Sequence, residues 1–498
     1  MDVLGTRTAP GAELRPGVHF WRLYGRLGGF VGERPGPVWQ FWVGARSAPV
    51  DTSWGTVSDF NGDGYADVVV GAPLAAPGGR TFAGLVMIYE GSASGPGASP
   101  HRVLEGPAAN QIFGFSVASA GDVNGDGYSD LVVGSPNASP GGRGGAGTVS
   151  VFQGGATGLA VSPSLVLEGS VAYDNLGVAV AAAGDVNGDG FSDVIAGADR
   201  DAPDGRTQAG SVRVYLGGSG GLSTSPRWAF GGPTAGDFLG NAVSGAGDFN
   251  GDGYADVVVG APKASPMGRS EAGSVRVFLG SPFGVAGSPQ IVLDGTSPGD
   301  EFGRSIAGTG DLNGDGISDL VIGAPRASRG GRSLVGTVSV FLGSVRGISS
   351  IPQNVTEGSL AGFGLGGAVG NAGDCNGDGF SDVIIGARSA SPGGRMAAGT
   401  AILYLGSSVG VAGSPARTLD GAGTEDGFGA DVGNCGDSNG DGLSDIVIGA
   451  PGASPGGRNR AGTASVFLGA GGGLVGSPSR VIEGAQARDA LGLSVAGM

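Results

Sequence analysis

Across 498 residues there is one lysine, Lys263, and there are two histidines, His19 and His101. Basic residues number 28 against 44 acidic ones, for a formal charge of -16. Nucleic-acid affinity rests largely on clustered Lys and Arg, so a nucleic-acid partner is excluded, and an anionic membrane surface is disfavoured on the same ground. Neither histidine recurs, and no Ser/His/Asp or Cys/His set can be assembled around them. Two cysteines, Cys375 and Cys435, are too few for a disulfide framework; one bridge and two buried thiols both stay open. No apolar run approaches the roughly 20 residues that span a bilayer. The first residues lack the apolar core of a secretory signal. No segment sustains a helical 3.6-residue period.

What is abundant is glycine, 109 residues, with 28 prolines. Without periodicity that composition signals a disordered polymer. Here 40% of the residues are hydrophobic, and they fall in short β-type runs such as Asp67–Val70 and Gly147–Phe152, enough to bury a core.

The glycines belong to a repeat. Seven nine-residue segments of the form Asp-x-Asn-Gly-Asp-Gly-x-x-Asp begin at Asp59, Asp122, Asp185, Asp248, Asp311, Asp374 and Asp437, each 63 residues after the last. Around each, a small-residue strand (Phe113–Ala118) enters the acidic loop and an apolar strand (Asp130–Gly134) leaves it. A Pro-Gly-Gly-Arg turn (Pro140–Arg143), a third strand (Gly147–Phe152) and a fourth (Leu165–Glu168) follow. Four short strands per unit predict one propeller blade per repeat, hence an all-β, seven-bladed propeller of antiparallel four-stranded blades.

The acidic loops present side-chain oxygens at positions 1, 3, 5 and 9, a backbone carbonyl at 7 and glycine at 6 for the sharp turn. The predicted metal ligands are Asp59, Asn61, Asp63, Tyr65 and Asp67 in the first loop; Asp122, Asn124, Asp126, Tyr128 and Asp130 in the second; and Asp185, Asn187, Asp189, Phe191 and Asp193 in the third. The fourth supplies Asp248, Asn250, Asp252, Tyr254 and Asp256, and the fifth Asp311, Asn313, Asp315, Ile317 and Asp319. The sixth supplies Asp374, Asn376, Asp378, Phe380 and Asp382, and the seventh Asp437, Asn439, Asp441, Leu443 and Asp445. Residue 7 of each set contributes its carbonyl alone. Hard oxygen ligands without His or Cys select Ca2+, at about seven sites. An EF-hand is excluded because its twelfth position, a bidentate Glu, is here Val70, Val133, Ala196, Val259, Ile322, Ile385 or Ile448 within a strand. A bare hairpin turn needs one or two such residues, not three Asp and one Asn at fixed offsets seven times. The loops hold 21 of the 44 acidic residues, and seven divalent ions would bring the formal charge from -16 to -2.

At Phe113-Gly114, Phe302-Gly303 and Phe428-Gly429, and at Gly71-Ala72-Pro73, Gly260-Ala261-Pro262, Gly323-Ala324-Pro325 and Gly449-Ala450-Pro451, the chain resembles the FG-GAP repeat family found in integrin α subunits. The resemblance covers about residues 50–498, leaving 1–49 as a degenerate N-terminal segment with a partial repeat. It implies calcium in loops on one face of the ring and ligand on the other. The motif varies to Gly134-Ser135-Pro136, Gly197-Ala198-Asp199 and Gly386-Ala387-Arg388, and Leu176, Leu239, Leu365 and Leu491 replace its Phe, changes a packing motif tolerates.

The ends are irregular. Leu491–Ala496 is the first strand of a further repeat, and Val18–Leu23 and Val38–Trp42 look like a degenerate third and fourth strand. These pieces could form a partial eighth blade closing the ring, or be marks of truncation; seven blades is the primary expectation.

In a four-stranded meander the second turn lies opposite the acidic loops. It carries Arg80, Arg143, Arg206, Arg269, Arg332, Arg395 and Arg458 at the same spacing. These could meet a protein carboxylate or an acidic glycan, joined by the crossover residues Tyr173, Asp174, Phe238, Asp300 and Asp426, or each could simply cap its own turn. The expected function is that of a calcium-stabilised extracellular or cell-surface binding and adhesion module and not an enzyme. The alternatives are a propeller accessory to a hydrolase or lyase and a structural spacer in a larger surface protein.

Overall fold

In the computed structural model, residues 58–496 are described in full, with the backbone of four short strands between residues 17 and 43. The expected division at residues 49 and 50 lies outside the described residues.

Apolar alternation and punctuating glycines produce seven four-stranded antiparallel sheets. Blade 2 shows the plan: Ser116–Gly121, Asp130–Ser135, Thr148–Phe152 and Leu165–Glu168 run inside to outside. The second strand is buried throughout, whereas the fourth alternates between core and solvent. The first strands of all seven blades neighbour one another in a closed cycle around a central channel. The structure is a seven-bladed β-propeller. Among the described residues there is no α-helix, only short 3-10 turns, and no helix long and apolar enough to cross a membrane.

The partial eighth blade does not form. The last strand, Ser494–Ala496, pairs with Val68–Ala72 and becomes the inner strand of blade 1, with Ser494 opposite Gly71 and Val495 opposite Val70. Pairing the last strand with the second strand of blade 1 covers an edge that each would otherwise expose, which is the physical reason for this placement over a separate blade. At the N-terminal end, Gly17–Trp21 pairs with Trp39–Val43, and Tyr24–Leu27 with Phe30–Pro35.

The FG and GAP glycines lie where neighbouring blades touch. A Cβ on Gly134 would stand 2.1 Å from the carbonyl oxygen of Gly177, and Gly177 itself has a φ of +85°. Only glycine permits that approach. The preceding motif residue plugs the interblade core: Phe113 packs edge-on against Phe152 at 6.1 Å, and the leucines at the same place are fully buried. Cys375 and Cys435 are both buried and unbridged.

Candidate functional site

In blades 2 to 7 the acidic loop follows a first strand that ends in glycine. In blades 2, 3, 6 and 7 that glycine forms a bulge, as at Gly121, which has a φ of +68° and turns the chain outward. In the first loop, Asp59 Oδ1 accepts N–H groups from Gly62 and Asp63 at 2.7 and 3.2 Å, and Oδ2 accepts that of Gly64 at 2.8 Å. Asn61 Oδ1 accepts from Asp63 N–H, and Asp63 Oδ1 from Tyr65 N–H, both at 2.9 Å. The same winding recurs in the other six loops.

The ninth-position aspartate has a task that spacing alone did not reveal. Asp67 Oδ2 accepts the N–H of Phe60 at 2.9 Å, and its Oδ1 accepts that of Gly91, 24 residues on, at 3.0 Å. Asp130, Asp193, Asp256, Asp319, Asp382 and Asp445 do the same with Gly154, Gly217, Gly280, Gly343, Gly406 and Gly469. One carboxylate therefore ties the loop's start to the third turn of its blade. The loops are also chained to each other. Ser129 N–H donates to the carbonyl of Asp59 in the preceding blade at 3.2 Å, and the relation repeats until Ala66 N–H closes the circle on Asp437 at 3.0 Å.

The first and ninth aspartates of every loop are buried, whereas the third and fifth positions lie nearer the surface. No loop aspartate has a Lys, Arg or His partner among the ion pairs of the described residues. Burial, reinforced by the sibling carboxylates, pushes Asp59 up to about 7 and Asp130, Asp193 and Asp319 up to about 8, against the partial relief of backbone N–H donors. Among the described residues no three carboxylate, His or Cys side chains converge to clasp an ion unaided. A bound cation would therefore also draw on the Asn61-type carbonyl and the residue-7 backbone oxygen. An all-oxygen donor set of uncompensated negative charge fits a hard divalent cation.

On the opposite face the arginine turns are engaged within their own blades. Arg143 Nε donates to the carbonyl of Gly169 at 3.1 Å, and its Nη2 pairs with Glu168 at 2.7 Å. Arg80, Arg206, Arg269, Arg332, Arg395 and Arg458 all reach the equivalent glycine carbonyl 26 residues away. Of the crossover residues, Asp174 and Asp426 accept N–H groups of their own turns, from Val171 and Gly423, and buried Asp300 pairs with Arg329 at 2.8 Å. Tyr173 is the one that stands free, 71% exposed.

Six stretches, residues 52–89, 113–152, 176–215, 239–278, 302–341 and 428–467, match the FG-GAP repeat. The repeat at 365–404 is outside those stretches yet forms a blade like the rest. Integrin alpha-IIb of Homo sapiens is 39% identical over 155 residues, 29% of this chain and 14% of that protein. Integrin alpha-V of Gallus gallus is 33% identical over 250 residues, 47% of this chain and 22% of that protein. Phosphatidylinositol-glycan-specific phospholipase D of Bos taurus is 37% identical over 180 residues, 34% of this chain and 21% of that enzyme. In each case the match spans less than a quarter of the relative's length. Among solved structures, a candidate 6-phosphogluconolactonase of Bacteroides fragilis superposes with a TM-score of 0.52 at 9% identity, over 86% of this chain and 97% of that one. That likeness is one of fold alone. It nevertheless corrects the expectation that the chain is not an enzyme, because a fold shared with a candidate lactonase is no mark of a purely binding protein.

Proposed function

We propose that this chain, an FG-GAP-repeat, integrin-α-like β-propeller, is a calcium-stabilised binding module working outside the cell or at its surface. The observation that carries this reading is the ring of seven acidic loops, whose 21 aspartates lie on one face with no cationic side-chain partner among the described ion pairs. Calcium would supply the missing positive charge. Asp59, Asn61, Asp63, the carbonyl of Tyr65 and Asp67 would hold it in the first loop, and the equivalent residues in the others. Weak oxygen sites of this kind, with constants of about 10⁻⁴–10⁻³ M, suit compartments rich in free calcium. The partner, a protein or an acidic glycan, would bind the face opposite the loops.

A second reading is a propeller that accompanies or forms part of a hydrolase. The 37% identity to a stretch of the bovine phospholipase D favours it. Both readings share the calcium ring. Native mass spectrometry of the protein in millimolar calcium checks it: about seven bound ions are expected, and a protein that carries none would leave the loops as turns.

A further inference from the structure

A repeated sequence repeats its surface, so places where single blades depart from the repeat are informative. The departures gather on one arc of the channel mouth. The third residue of the GAP motif is Pro in blades 1, 2, 4, 5 and 7, but Asp199 in blade 3 and Arg388 in blade 6. The next position carries Arg200, Lys263 and Arg326 in blades 3, 4 and 5. Two residues after the FG motif's phenylalanine or leucine, the chain has Phe115, Val178, Gly367, Ala430 or Leu493, but Asn241 in blade 4 and Arg304 in blade 5.

These residues form a line of contacts across three blades. Asn241 Nδ2 donates to Asp199 Oδ2 at 2.9 Å, and Arg304 Nη1 donates to Asn241 Oδ1. The other oxygen of Asp199 is buried without a hydrogen-bond partner, in a side chain only 5% exposed. Both border the central cavity of about 1170 Å³, whose lining has four arginines, Arg200, Arg304, Arg326 and Arg388, against two aspartates, Asp199 and Asp431. In a protein of net charge -16 this is a local excess of positive charge. Unlike most of the arginines in the turns, Arg200 and Arg388 form no ion pair among the described residues; Arg326 shares Glu301 with Lys263.

We propose that this mouth, on the face opposite the acidic loops, binds the carboxylate-bearing end of a saccharide. Guanidinium groups match a carboxylate in charge and fork geometry. The amide side chains of Asn241 and Asn175, which line the cavity beside these guanidinium groups, suit the hydroxyls that a sugar acid carries next to its carboxylate and a simple anion lacks. The cavity is large enough to bury several sugar rings. The assignment rests on the reading of that face as the ligand face, and is independent of what occupies the acidic loops.

The test is calorimetric titration of the full chain, at fixed calcium, with a tetrasaccharide carrying two glucuronates. Its carboxyl-reduced counterpart serves as the neutral probe. Saturable binding of the acidic probe only, weakened at least tenfold in the R304A/R388A double variant and unchanged in R227A on the opposite face, is the expected result. Asp199→Asn, which disturbs the contact that positions Asn241 and Arg304, should weaken it several-fold in a chain that still unfolds cooperatively. Absence of saturable binding to the wild-type chain, or equal affinity of the two probes, overturns the proposal. Equal affinity in R304A/R388A and the wild-type chain overturns this mouth as the site, yet leaves a glycan-binding module standing. A failure of the wider reading would show separately, as melting indifferent to calcium.

Discussion

Asp431, at the start of blade 7, accepts the backbone N–H of Val495 at 2.8 Å and so ties the last blade to the strand that completes the first. At the same seam, Ser494 Oγ donates to the carbonyl of Gly114 in blade 2 at 2.7 Å. One short C-terminal strand is thus clasped from three blades.

The carboxyl of Asp431 is pushed up from 3.8 to about 6 by the loss of water around it, which the N–H groups of Val495 and Val432 only partly offset. Below about pH 4 the group is protonated in both the folded and the unfolded chain. As the pH rises through the window from about 4 to about 6, the unfolded chain releases the proton first, so this group's contribution to stability falls; above about 6 the full penalty is present. Two units correspond to about 3 kcal/mol, reduced to about 1–2 because Asp431 is only half-buried where it lines the open channel. Asp431→Asn keeps an acceptor for Val495. Its melting temperature is expected to equal that of the wild-type chain at pH 4 and to exceed it at pH 7, measured at constant calcium.

Closure of the ring depends on apolar burial as well. Leu491 is fully buried at the seam, in the place that phenylalanine takes in other blades. Leu491→Ala should cost about 2–5 kcal/mol in urea unfolding. A loss below about 1 kcal/mol would mean that the last strand is not held as described.

Within an acidic loop the two kinds of aspartate are separable. Asp67→Ala leaves the N–H groups of Phe60 and Gly91 without their acceptor, so a loss of about 2–4 kcal/mol is expected already in EGTA, with the calcium contribution of this loop lost in addition when the metal is present. Asp63→Ala, nearer the surface, should change little in EGTA. In calcium at about 100 times the dissociation constant it should forfeit up to about 2.7 kcal/mol. Thermal melts of both variants in the two buffers check the distinction.

The arginine turns are clamps of their own blades, so Arg143→Ala should lower stability by about 0.5–1.5 kcal/mol, with no change in affinity for the saccharide probe. A change in affinity with unaltered stability would return these arginines to the ligand surface.

The blade count and the acidic loops were legible because the 63-residue period places identical side chains at identical points of every sheet. The pairing of Ser494–Ala496 with Val68–Ala72 was not, because nothing local marks a partner more than 400 residues away. Likewise, Asp67 and Gly91, or Arg143 and Gly169, meet only once the hairpins fold back, so their structural tasks stay hidden behind the chemistry of the side chains. The mouth cluster was readable in principle. Asp199, Asn241 and Arg304 stand out as departures from the repeat, but only the ring geometry shows that they face one another.

Calcium dependence of folding tests the central claim most directly. Differential scanning calorimetry in a few millimolar calcium and again in excess EGTA is expected to show a melting temperature that falls by tens of degrees when the metal is removed, with unfolding still cooperative because the loops are chained around the ring. An identical melting temperature in the two buffers would contradict it.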